Sequence, residues 1–111
     1  MVELILMTTM LPQEYKIVKN FGIVTGVTCR TRGMGGKFIA GFESMIGGEV
    51  TAFTSEMEKA RFQAIDRMKE KALALGANAV VGVDVETSEV YQGIVLISAT
   101  GTALQIAERT K

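Results

Sequence analysis

Residues 51–83, TAFTSEMEKARFQAIDRMKEKALALGANAVVGV, decide how this chain folds. Phe53, Met57, Ala60, Ala64, Met68, Ala72 and Leu75 recur every three or four positions, the period of one helix face, and predict a helix from Thr51 or Ser55 to Leu75. Ser55 and Glu58 have the spacing of a capping box, and Gly76 stands where a helix ends most easily in the left-handed conformation. Three alanines in the stripe let the helix lie close to whatever it packs on. Beyond Gly76 the period changes to two: Ala79, Val81, Val83 and Val85 share one face of a strand reaching Glu86, with Gly82, Asp84 and Glu86 on the other.

Working outward, a turn at Gln92 and Gly93 leads into a last strand from Ile94 to about Ile106. Toward the N-terminus, 36–46 places Phe38, Ile39, Phe42, Met45 and Ile46 at helical spacing, a short helix ending at Gly47 and Gly48. Before it, an extended stretch from Lys16 to about Thr28 puts Ile17, Phe21, Ile23, Val27 and Cys29 on its odd face, the core candidate. Gly22 and Gly26 on the even face signal bulges or close approach of another backbone. Val2 to Thr9 reads as a first strand, apolar on both faces and therefore covered on both. The expected architecture is α+β, in chain order β-β-α-α-β-β, with two helices on one face of a mostly antiparallel sheet.

Composition narrows function more by exclusion than by selection. At 111 residues a single domain, 1–111, is expected, and such a chain buries roughly two-thirds of its unfolded surface. Twelve Lys and Arg balance twelve Asp and Glu, which argues against a nucleic-acid or anionic-membrane partner. With 48% hydrophobic residues, 22% charged and a mean hydropathy of +0.27, the chain is more apolar than a solitary small domain needs, so an oligomer is expected. No stretch is long and apolar enough to span a membrane, and Glu3 with the short run Leu4 to Met7 does not fit a secretion signal, so the expected location is cytoplasmic.

Five ordered motifs resemble one known family. They are Gly22-Ile-Val-Thr-Gly26, Gly47-Gly48-Glu49, Arg61 with Ala64, Gly76-Ala-Asn78-Ala-Val-Val-Gly82-Val83, and Gly101-Thr102-Ala103. Together, and with Met7-Thr8-Thr9 near the start, they resemble the YbjQ family across essentially the whole chain. That family is also labelled "putative heavy-metal-binding". The resemblance implies a small α+β subunit assembled into a ring of five, and it implies no known reaction. Arg30 to Lys37 is more basic and glycine-rich than the family pattern.

The ligand inventory tests the metal label. A soft-metal or zinc site wants three or four Cys or His, and the chain has one Cys and no His. One subunit cannot make such a site, but a ring would bring one Cys29 thiolate from each subunit into a circle, with Arg30 and Arg32 lowering the thiol pKa if their charges lie close. Against that, Cys29 shares strand parity with Phe21, Ile23 and Val27 and reads as a small core residue. Asp84, Glu86 and Glu89 are conceivable hard-cation ligands, and read equally as a solvated acidic turn. Gly33 to Gly36 before a helix is neither a Walker A nor a G-x-G-x-x-G loop, which leaves Arg30, Arg32 and Lys37 as an anion-binding candidate. An Arg61–Glu49 ion pair and a turn closed by the Asn78 side chain are the structural expectations for those motif residues.

No nucleophile stands beside a base, and no S-x-x-K or G-x-S-x-G occurs. No catalytic residue and no cofactor is expected. The sequence therefore reads as a non-enzymatic ligand-binding or interaction module working as a homopentamer. Metal or metalloid binding through Cys29 is the alternative, and an enzyme with an intersubunit site is the remotest reading.

Overall fold

The computed structural model describes residues 4–31, 48–91 and 93–109. Their elements are β1 (Ile5–Leu6), β2 (Tyr15–Thr31), α1 (Gly48–Leu75), β3 (Ala79–Tyr91) and β4 (Ile94–Glu108). The strands form one four-stranded sheet in the order β1-β3-β4-β2, with α1 against one face. The α+β class is as expected, but the sheet is mixed: β2–β4 and β3–β4 are antiparallel, while β1 runs parallel to β3. The described residues contain one helix, and the short helix expected over 36–46 lies outside them.

The helix stripe packs as its spacing predicts. Ala60, Ala64, Met68 and Ala72 are fully buried, against Val24, Val80, Val95, Ile97 and Ala99 of the sheet. Small side chains allow the approach, and Gly26 completes it: a Cβ there would overlap the Ala64 carbonyl and the Met68 amide. The close backbone approach expected on the even face of β2 is thus found at Gly26.

This contact reverses the expected faces of β2. Val24, Gly26 and Thr28 turn toward α1 and are buried, whereas Ile23, Val27 and Cys29 are exposed on the opposite face, which is helix-free among the described residues. Period two is symmetric between faces, and apolar side chains mark the odd one. The even face wins because only there can a helix backbone come close. Register shifts at Ile17/Lys19 and Asn20/Gly22 also break the alternation, so Ile17 is exposed while Phe21 packs against the main core.

A bulge also splits β3. Register slips between Val81 and Asp84, with Gly82 at φ +63°. Val80, Val83 and Val85 therefore pack toward the helix, and Ala79 and Val81 belong to a smaller cluster with Leu104, Ile106, Leu11 and Tyr15. The single valine face expected from Ala79 to Val85 is divided because one inserted residue flips the pleat.

The two ends of α1 differ in how closely they follow the pattern of residues. Gly76, at φ +96°, sits at C′ of a Schellman turn: its N–H donates to the Leu73 carbonyl (3.0 Å) and the Ala77 N–H to that of Ala72 (3.1 Å). The helix begins at Gly48, upstream of Ser55, so Ser55 and Glu58 lie inside it and form no capping box. Leu75, placed in the stripe by its spacing, is exposed because the turn has already begun there.

β1 is shorter than the expected 2–9 strand. Its N–H groups at Ile5 and Met7 donate to Asn78 and Val80, and Leu4 and Leu6 pack on the core while Ile5 is partly exposed.

Candidate functional site

Three groups of residues on this scaffold carry chemistry. The first is a polar cluster between β2 and α1. Thr28 is buried, donates from Oγ1 to Gln63 Oε1 at 2.7 Å and accepts from Arg30 Nη1 at 3.0 Å. The hydroxyl is satisfied in both roles, as a buried polar group must be. Arg30 also donates to the Cys29 carbonyl at 3.1 Å and pairs through Nε with Glu56 at 3.4 Å. Arg67 of α1 donates to the Val27 carbonyl at 2.7 Å. Both contacts fall on β2, an edge strand of the sheet, so the two arginines bind part of its backbone.

Of the anion-binding candidates, Arg30 is therefore engaged with Glu56, Thr28 and Cys29, while Arg32 and Lys37 lie outside the described residues. The Arg30 guanidinium bonds on the helix side of β2, the face opposite the Cys29 side chain.

Cys29 is the second feature. It is a free, exposed thiol rather than a core residue, the correction following from the reversed faces of β2. Its cross-strand partner is Leu96, and Val27 lies two residues away on the same face. Among the described residues no three or more His, Cys, Asp or Glu side chains come together as a metal cage. Asp84 and Glu86 are exposed on the helix-free face, opposite Thr100 and Ser98 of β4. The donors of one chain thus do not fit a heavy-metal site, which needs several soft ligands.

The third feature, which no sequence motif indicates, is a groove of about 730 Å³ on the helix-free face, between 10–13, the start of β2 and the sheet. Leu104, Thr102 and Val81 line it from the sheet, Leu11 and Ile17 from the sides, and Lys16 and Arg109 supply charge. No periodicity announces it, because its lining comes from both ends of the chain. The sequence offers only Pro12 as a signal, marking where the chain turns back before β2.

The motif residues mostly serve the fold. Asn78 donates from Nδ2 to the Ile106 carbonyl (3.0 Å) and accepts from the Ile106 N–H (2.8 Å), so its amide pairs with β4 as a strand residue would. The side chain thus bonds to β4 and not within the helix-to-strand turn where it was expected, and that turn is closed by the backbone bonds of Gly76 and Ala77. Gly101 lies under Val80 and Val83, whose side chains, with the Val81 carbonyl, fill the space of a Cβ. Gly22 sits at the β2 register shift, its N–H bonded to Asn20 Oδ1 at 2.8 Å, and Thr102 lines the groove. Arg61 is exposed on α1, whereas Gly47 and the Glu49 side chain lie outside the described residues, and with them the expected Arg61–Glu49 pair.

Comparison with known proteins agrees with this picture. A UPF0145 protein of Sulfurisphaera tokodaii is 47% identical over 94 residues, covering 85% of this chain and 82% of the relative. A UPF0145 protein of Methanocella arvoryzae is 39% identical over 108 residues, covering 97% and 90%. A crystal structure of a protein of unknown function in the DUF74 family, from Pediococcus pentosaceus, superposes with a TM-score of 0.63 at 15% identity, covering 94% of this chain and 98% of that one, and shares the fold. The family model described as "putative heavy-metal-binding" matches residues 4–107, and the chain belongs to that family, YbjQ.

Proposed function

We propose that this protein is a non-enzymatic ligand-binding or interaction module that works as a closed homo-oligomer. One observation carries the reading: β2 is a 17-residue edge strand whose helix-free face exposes Ile17 (53%), Ile23 (78%) and Val27 (42%) to solvent. Apolar side chains on an open edge are an assembly surface or an aggregation hazard. The far edge of the sheet complements it, because β1 pairs only with the start of β3 and leaves 84–91 without a further strand among the described residues. Unlike edges that meet head to tail make a ring where the rotation between subunits closes, and five members is the number the family resemblance implies.

Shape supports the same reading. The radius of gyration is 17.8 Å with extents of 62 × 24 × 24 Å, against about 13 Å for a compact domain of this length. An elongated subunit buries less of its own apolar surface and gains more from neighbours. The balanced charge favours neither nucleic acid nor an anionic membrane as partner, and no described helix is long and apolar enough to cross a membrane. A cytoplasmic location goes with this reading.

Light-scattering mass in solution tests it. A pentamer for the native chain and smaller species for Ile23→Lys with Val27→Lys are expected, and a monomer at micromolar concentration refutes it. The exposure of Cys29 favours a second reading, in which a ring brings one thiolate per subunit to a shared heavy-metal or metalloid site. Equal metal uptake by the native protein and Cys29→Ser would eliminate that site.

A further inference from the structure

We draw no further inference here: the strongest candidate, the exposed apolar patch of Ile23 and Val27 beside the Cys29 thiol on the face of β2 turned away from α1, belongs to the assembly surface already proposed, and nothing in the structure shows what covers it.

Discussion

Replacing Gly26 by alanine tests the central packing of the molecule. The added methyl would overlap the Ala64 carbonyl oxygen and the Met68 amide nitrogen and lie 2.9 Å from the Arg67 carbonyl carbon, where ordinary contact begins at 3.4 Å. All three are backbone atoms of α1, so no rotamer change relieves the clash. The helix must lift from the sheet, loosening the contacts of Ala60, Ala64, Met68 and Ala72 with Val24, Ile97 and Ala99 together. Overpacking costs typically 1–3 kcal/mol, and rigid neighbours place this case near about 3 kcal/mol. At roughly 4 °C per kcal/mol for a domain near 100 residues, the melting temperature falls by roughly 12 °C. Gly22→Ala is the internal comparison: φ is +93° there but nothing lies within 4 Å of a Cβ, so only conformational strain of about 1–2 kcal/mol is expected. Thermal unfolding followed by circular dichroism at one fixed subunit concentration reads both variants, because assembly makes melting concentration-dependent. If Gly26→Ala melts no lower than Gly22→Ala, α1 does not lie on the even face of β2 and the reversal of strand faces is wrong.

Three further outcomes follow from the same packing. Asn78→Ala removes both side-chain bonds to Ile106 and leaves that N–H and carbonyl half-buried, a loss of about 1–3 kcal/mol measurable by urea unfolding; a change under about 0.3 kcal/mol would contradict the pairing. Met68→Ala opens the centre of the main core, since Met68 is among the largest fully buried side chains, and should lose about 2–5 kcal/mol, whereas Met10→Ala at an exposed position should stay within about 0.5 kcal/mol. Cys29 should react with a thiol reagent in the native protein as fast as in the Ile23→Lys, Val27→Lys variant if it stays open in the assembly, and far more slowly if neighbouring subunits cover it; slow labelling of both would contradict its exposure within one chain.

How much of the fold is legible in the sequence depends on what each signal reports. The 3.6-residue stripe of α1 is local and self-consistent, so spacing alone places Ala60, Ala64, Met68 and Ala72 in the core, and Gly76 marks the helix end through its own φ. Period-two alternation says only that two faces differ. On β2 the more apolar face points to the wrong side as the core, while the deciding residue is Gly26, whose missing side chain is the contact. Bulges are another blind spot, because Gly82 looks like any strand glycine until the register with β4 shows the slip between Val81 and Asp84. Cys29 inherits the error of its strand. The polar cluster of Thr28, Gln63, Arg30 and Glu56 and the groove between Leu11, Leu104 and Arg109 join residues far apart in sequence, which no local pattern connects.

The pairing of β2 with β4 also sets an order of events during synthesis. Tyr15 faces Glu108 and Thr31 faces Ile94, so each rung closes a loop of about 60 to 90 residues, whereas β3 and β4 meet across a tight turn. As the chain emerges N-terminus first, β2 must wait, unpaired, until β4 has followed it out of the ribosome. Lys16, Lys19, Gly22, Thr25, Gly26, Thr28 and Arg30 interrupt its apolar residues and keep a strand of 17 residues from pairing with itself in that interval. The glycine that lets the helix dock at the end thus also lowers the stickiness of the strand at the beginning.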